Sequence, residues 1–146
     1  MGNFKLSKNS KNNIKGINGD LIKLINRVLK KSEHDFGIPG YGGLRTQQEQ
    51  RALYRKKVSK LDGFRRKSYH QSGNAVDIFI YDEHGACWDC KDKYKDVADL
   101  IKAEFDLMKD EGLFKNHTEI RWGGDWKKDD IMTCFLKVGG RHFFIK

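Results

Sequence analysis

The run from Ala75 to Tyr81 constrains the fold of this 146-residue chain more than any other feature. Its side chains alternate between two faces, with Val76, Ile78 and Ile80 on one face and Asp77, Phe79 and Tyr81 on the other. This period of two is typical of a half-buried strand, because successive side chains of a strand point to opposite faces of a sheet. The run therefore predicts a strand that carries a carboxylate, Asp77, on the face opposite its aliphatic residues.

Amphipathic helices are predicted on both sides of this strand in the sequence. Apolar residues recur at helical spacing within 20–31 and again within 91–110, which indicates helices with one buried face each. Gly112 is suited to end the second of them. A further helix is expected to start at Thr46, because Thr46 and Glu49 have the spacing of a capping box.

The order of these elements predicts the fold class. Strand-like runs are gathered late in the chain, around 119–122, 134–137 and 142–145, whereas the first helical patterns come early. This order favours an α+β fold in which a small antiparallel sheet is flanked by helices. Because single globular domains usually have about 100 to 200 residues, we expect one domain over residues 1–146.

The formal net charge of +9 favours an anionic partner. No DNA-binding helix or zinc-finger spacing accompanies the basic clusters, so we expect no nucleic-acid partner. No apolar run has the length of a signal peptide or of a membrane span. We therefore expect synthesis in the cytoplasm without a signal peptide and no membrane insertion. Nothing in the sequence indicates an oligomer, and we expect a monomer.

The cysteines are expected to be reduced. Cys87, Cys90 and Cys134 are an odd number, which argues against a disulfide framework in a chain of this size. Cys87 and Cys90 have the spacing of half a structural metal site, but a second such pair is missing. The acidic residues Asp82 and Glu83 leave the binding of a regulatory ion open.

The segment that leads into the predicted strand contains a candidate metal site. His70 and Asp77 are seven residues apart, and Gly73 between them permits a tight connection. A catalytic zinc ion needs three protein ligands and one open position for water, and His142 in the last strand-like run is the candidate third ligand. A structural hydrogen bond between His70 and Asp77 is the alternative, and their spacing alone leaves both interpretations open.

Two motifs carry a resemblance to a known family. The pattern SxHxxGxAxD is matched at residues 68–77, and the block WGGDW stands at residues 122–126. Upstream, the residues GLRT at 43–46 precede a predicted helix that contains Gln50. With these motifs the sequence resembles the LAS zinc metallopeptidases, and especially the phage L-alanyl-D-glutamate endopeptidases that serve as endolysins. The resemblance covers roughly residues 5–145.

The resemblance implies a cofactor and a reaction. It implies a zinc ion held by His70, Asp77 and His142, with a bound water that attacks the carbonyl of the scissile amide. The implied partners are the stem peptides of bacterial peptidoglycan, cut between L-Ala and D-Glu. The implied setting is a phage or prophage lysis enzyme that acts on the cell wall after its release from the host cytoplasm.

The resemblance also implies roles for residues around the metal. Arg45 is expected to face the oxyanion or a carboxylate of the substrate, where a fixed cationic donor stabilises negative charge. Ser68 and Gln50 are expected to support the site or bind the substrate by hydrogen bonds. A capping or surface role is the alternative for each of the two.

The general base departs from the family pattern. The family has an acidic residue three positions before the last histidine, whereas this chain has Gly139. We expect Asp130 to act as the base, provided that the segment IMTCFLKVGGR bulges out as an inserted hairpin. Asp125, Asp129 and Glu119 are further candidates. Loss of the base would slow a peptidase by a factor on the order of 100 or more.

Two other functions fit the same residues. A D-alanyl-D-alanine carboxypeptidase uses the same metal frame and differs in the shape of its pocket. A cell-wall-binding module that keeps the fold without efficient hydrolysis would explain Gly139.

Overall fold

A computed structural model of the chain describes residues 3–57, 59–87, 90–123 and 132–137. The helices in these ranges are α1 (Lys8–Asn13), α2 (Gly19–Lys31), α3 (Gln47–Arg55) and α4 (Lys91–Asp110). The strands are β1 (Phe36–Gly37), β2 (Ala75–Asp82), β3 (Gly85–Cys87), β4 (Glu119–Gly123) and β5 (Met132–Lys137). A single turn of 3-10 helix, Tyr69–Ser72, leads into β2.

The strands form one antiparallel sheet in the order β1-β2-β5-β4, and β3 also pairs with β2. The predicted α+β class and antiparallel sheet are confirmed. In the register of β5, Thr133 lies opposite Asp77 of β2 on one side and opposite Gly123 of β4 on the other. β5 is therefore an interior strand, and it brings residues from late in the chain next to Asp77.

Helices α2 and α4 pack together and contribute much of the core. The apolar face predicted for α2 is fully buried, and the stripe predicted for α4 is buried as well. The rings of Phe105 and Phe114 have centroids 4.6 Å apart in this core. At its edge, Arg27 of α2 forms ion pairs with Glu104 and Glu111 at 2.8 Å each.

The predicted helix ends are also confirmed. Thr46 caps α3 and forms the complete capping box with Glu49, and Gly112 follows α4 with a left-handed φ of +95°. Among the described helices none is long and apolar enough to cross a membrane.

The proposed bulge in the segment IMTCFLKVGGR is wrong for Met132–Lys137. These residues form β5, which pairs with both β2 and β4 instead of leaving the sheet. Cys134 and Leu136 are buried and alternate with the half-buried Thr133 and Phe135. This alternation is typical of a strand with one buried face. In the interior of the sheet the backbone N–H and C=O groups of the strand are hydrogen-bonded to a neighbour on each side.

Cys87 and Cys90 form a disulfide, which corrects the prediction that all three cysteines are reduced. The β2–β3 pairing sets Cys87 opposite Ile80, and Cys90 immediately precedes α4. The two Cα atoms are thereby 5.9 Å apart, within the usual range for a disulfide. Cys134 is free and buried in the sheet, as predicted. Burial raises the pKa of its thiol far above the ordinary value.

Candidate metal centre

The 3-10 turn fixes the position of His70. Ser68 caps this turn, since its hydroxyl oxygen accepts a hydrogen bond of 3.1 Å from the His70 backbone N–H. The Gln71 side chain returns to accept from the Ser68 backbone N–H at 2.9 Å. Gly73 then ends the turn with a φ of +77°, a conformation that glycine adopts without steric cost. Ser68 thus has a capping role, and its contact with substrate stays a prediction.

The segment before α3 covers the other side of the site. The carbonyl oxygen of Gly42 accepts from the Asp77 backbone N–H at 2.7 Å, and Arg45 N–H donates to the His70 carbonyl at 3.1 Å. A Cβ atom at Gly43 would overlap the backbone oxygen of Asn13. Glycine at this position therefore lets the chain pass close to α1 while it holds both His70 and Asp77.

His70 and Asp77 meet in a buried pair. Nε2 of His70 lies 3.0 Å from Oδ1 of Asp77, and Nδ1 lies 2.9 Å from the carbonyl oxygen of Gly43. A carbonyl only accepts hydrogen bonds, so Nδ1 must carry a proton. Nε2 then faces a carboxylate either as a second N–H donor or with a lone pair. In the latter case a cation is needed between the two groups, and neutral imidazole with carboxylate is a usual zinc ligand set.

Arg45 pairs with the same carboxylate from the other side. Its Nη2 donates to Asp77 Oδ2 at 2.9 Å, Nη1 donates to Gln50 Oε1 at 3.0 Å, and Nε donates to the Tyr41 carbonyl at 2.6 Å. These bonds hold the guanidinium in one orientation. Contact of Arg45 with an oxyanion or substrate stays a prediction, and the structure adds a second role, that of a partner to Asp77.

Gln50 lies beneath Arg45 and is 0% exposed. Its amide nitrogen donates to Ser59 Oγ at 2.9 Å and to the Leu61 carbonyl at 2.7 Å. Both ends of the amide are therefore engaged by the protein. Gln50 therefore lies inside the protein, where it holds Arg45 in position. Its contact with substrate stays a prediction.

Thr133 is a residue of the site that sequence reasoning missed. Its hydroxyl donates to Asp77 Oδ1 at 2.5 Å from the neighbouring strand. The strand pattern of its segment is visible in the sequence, but no sequence signal pairs that strand with β2. Only the register of the sheet brings Thr133 to Asp77.

The surroundings favour the charged form of Asp77. Burial alone would raise the pKa of this carboxyl group, but attraction to His70 and Arg45 and the hydrogen bonds from His70 and Thr133 outweigh it. The pKa of Asp77 is therefore below its ordinary value. Burial lowers the pKa of Arg45, and attraction to Asp77 partly offsets this effect. The site thus contains a buried carboxylate whose charged form is stabilised by its neighbours.

A cavity of about 560 Å³ lies next to the 3-10 turn and the start of α3. Its lining includes the side chains of Arg45, Lys67, Ser68, Tyr69 and Gln71. Two of these residues are cationic, and Ser68 and Tyr69 belong to the segment that holds His70. The cavity is large enough for part of a peptide. Neither His70 nor Asp77 lines it, but Arg45, which contacts Asp77, does.

The remaining predicted residues divide into two groups. His142, Asp130, Asp125, Asp129 and Gly139 lie outside the described residues. Glu119 is described: it is paired in register with Lys137 and bonds Arg121 at 2.7 Å. Lys137 is four residues from Thr133 along β5, or about 13 Å. Glu119 is therefore too far from Asp77 to act as the general base at this site.

A second group of possible metal donors lies apart from His70. Within the described ranges, the ligand atoms of Asp82, Cys87 and Cys90 are all within 4.8 Å of one another. Both sulfur atoms are joined in the disulfide, so neither is a thiolate ligand here. The pair of His70 and Asp77 is therefore the better candidate for a catalytic ion.

The position of Gln50 gives a testable prediction. Replacing Gln50 with alanine removes the acceptor that holds Arg45, and we expect kcat/KM for peptide hydrolysis to fall about tenfold, equivalent to about 1.4 kcal/mol. The matched control is Gln48→Ala, an exposed glutamine on the same helix, which should change neither activity nor zinc content. Wild-type activity in the Gln50 variant would contradict the positioning role.

Comparisons with known proteins identify the family of this chain. The chain matches the profile of the family described as phage L-alanyl-D-glutamate peptidase over residues 1–140. Its fold is similar to the crystal structure of Serratia marcescens L-Ala D-Glu endopeptidase ChiX, with a TM-score of 0.69 and 24% sequence identity. That similarity covers 92% of this chain and 91% of the other. No curated protein sequence matches the chain. Since the family match covers nearly the whole chain, this protein belongs to the phage L-alanyl-D-glutamate peptidases and is a peptidase.

Proposed function

We propose that the protein is a zinc-dependent endopeptidase that cuts the L-Ala to D-Glu bond of peptidoglycan stem peptides during phage or prophage lysis. Family membership supports the choice of bond. The observation that carries zinc dependence is the pair of His70 and Asp77, in which Nδ1 is tied to a carbonyl and Nε2 faces a carboxylate at 3.0 Å.

In this proposal His70 binds the metal through Nε2 and Asp77 through Oδ1, and His142 is the third ligand. When bound there, zinc polarises a carbonyl and lowers the pKa of a water molecule to about 7. His142 is five residues beyond Lys137, and a chain of that length reaches about 17 Å. Since Lys137 is about 13 Å from Thr133 along β5, His142 has enough chain to return to Asp77.

We propose Asp130 as the general base. The inserted hairpin no longer supports this role, and the support is instead the short chain distance between Asp130 and Thr133. Asp130 is three residues before Thr133 in the sequence, a distance of at most about 11 Å. Thr133 contacts Asp77 directly. The connection is short enough for the Asp130 carboxylate to reach the site.

The substrate proposal is supported by charge. Arg45 and Lys67 both line the cavity, and Arg45 also contacts the proposed ligand Asp77. Lys67 forms no ion pair with any residue that the structure describes. A stem peptide carries carboxylates at D-Glu and at its free end, which cationic side chains bind. The net charge of +9 would also attract the enzyme to an anionic cell wall.

The proposal is tested by the products of digestion. Purified, zinc-loaded protein is incubated with peptidoglycan of several chemotypes, and the released fragments are identified by mass spectrometry beside a chelator-treated control. We expect fragments with a new D-Glu amino terminus, and we expect the chelator to abolish them.

Other products would identify the alternatives. Release of only a terminal D-Ala would indicate a carboxypeptidase. Binding to peptidoglycan with no cleavage by a zinc-loaded chain would indicate a binding module. Cleavage that persists after complete removal of zinc would contradict the metal dependence.

A further inference from the structure

Strand β5 contacts the candidate metal site at two points. Thr133 donates a hydrogen bond to Asp77 Oδ1 at 2.5 Å. Two residues further along the strand, the ring of Phe135 stacks on the ring of Tyr69, with centroids 5.0 Å apart and an angle of 23° between the planes. Residues two apart on a strand share a face, so one face of β5 contacts both Asp77 and the turn that carries His70.

The hydrogen bond from Thr133 restricts how Asp77 presents its carboxylate. Arg45 holds Oδ2, whereas Thr133 and His70 Nε2 both approach Oδ1. Because both oxygens are engaged, rotation of the carboxylate would break hydrogen bonds. A carboxylate oxygen has two lone-pair positions, so Oδ1 can accept from Thr133 and still offer one position towards His70.

The stacking of Phe135 acts on the other ligand. Tyr69 immediately precedes His70 within the 3-10 turn. A stacked aromatic pair is stabilising beyond the apolar area that it buries, so the contact holds this turn against the sheet. The two contacts of β5 therefore hold His70 and Asp77 in a fixed relation to each other.

We propose that Thr133 is a positioning residue of the metal site, whose hydroxyl orients Asp77 and thereby raises the affinity of the protein for a divalent metal ion. This inference rests on the proposed binding of zinc by His70 and Asp77. It goes beyond that proposal because it assigns a role to a residue that binds neither metal nor substrate. Partners of this kind, which orient a metal ligand, typically contribute a factor of about 10 to 100 in metal affinity.

The test measures the dissociation constant of Zn²⁺ by competition with a chromophoric chelator. Thr133→Val keeps the shape and β-branching of threonine but loses the hydroxyl, and Thr133→Ser keeps the hydroxyl. We expect the valine variant to bind zinc about 10- to 100-fold more weakly and the serine variant to stay within about threefold of the wild type. The absorption spectrum of bound Co²⁺ should change in the valine variant alone.

Thr118→Val is the matched control. Thr118 is exposed beside the same sheet, and its hydroxyl donates to the Lys137 carbonyl oxygen at 3.5 Å instead of to a residue of the site. It should bind zinc as the wild type does. If Thr133→Val does not fold, Thr133→Ala replaces it, because the smaller side chain removes the hydroxyl without adding bulk.

Three results would overturn the inference. Wild-type zinc affinity in Thr133→Val would show that zinc binding does not need the hydroxyl. Equal weakening in the valine and serine variants would show that loss of the hydroxyl is not the cause of the weaker binding. In both cases tight zinc binding by the wild type would leave the proposed function intact. A wild-type chain that binds no zinc would overturn the metal site and this inference together.

Discussion

Replacing His70 with alanine is expected to reduce the zinc content from one ion per chain to none. Nε2 of His70 and Oδ1 of Asp77 are the two proposed ligand atoms that the structure describes, at 3.0 Å from each other. Without His70 only two proposed ligands remain, Asp77 and His142, and a catalytic zinc ion needs three. Peptidase activity should fall by at least about 10³-fold, because a catalytic metal contributes several kcal/mol. The measurements are zinc analysis after gel filtration and the rate of peptidoglycan hydrolysis.

The matched control is His84→Ala. The side chain of His84 is 85% exposed, and it follows β2 at the turn before β3. We expect full zinc content and wild-type activity in this variant. Retention of stoichiometric zinc by the His70 variant would refute the assignment of His70 as a ligand, whatever its effect on turnover.

Replacing Phe105 with alanine is expected to destabilise the fold by about 3–5 kcal/mol. Phe105 is almost fully buried on α4 and packs against the ring of Phe114, with centroids 4.6 Å apart. Truncation removes apolar contacts and leaves a cavity between α4 and the segment that follows it. Thermal unfolding followed by circular dichroism should show a midpoint lower by about 10 °C or more.

The control for this prediction is two residues away on the same helix. Leu107 is 46% exposed, so Leu107→Ala should change the free energy of unfolding by less than about 1 kcal/mol. Equal destabilisation by the two variants would contradict the assignment of the Phe105 face of α4 to the core.

Much of the local structure could be predicted because its causes are local. The periodicity of 20–31 and 91–110 predicted α2 and α4, and the capping box at Thr46 predicted the start of α3. The short elements were not predicted: helix α1 has six residues, and strands β1 and β3 have two and three. Elements of this length carry too few residues for a periodic pattern, and tertiary contacts stabilise them.

The candidate site was predictable only in part. His70 and Asp77 were found because a turn and a strand join them within eight residues. The partners of Asp77 lie 32 and 56 residues away, as Arg45 and Thr133. Arg45 was assigned by family resemblance, and its bond to Asp77 was not foreseen. Thr133 was assigned to a bulge.

The sequence by itself determined the helices with a buried face, the strand that carries Asp77, the turn at Gly73 and, through its motifs, the family. These follow from side-chain periodicity, backbone preference and short-range spacing, which are properties of the chain before it folds. Only the tertiary structure decided that β5 lies between β2 and β4, that Gln50 is buried beneath Arg45, and that Cys87 pairs with Cys90. Strand order and register depend on how distant segments compete for the same ladder and the same core, and no local pattern encodes that competition.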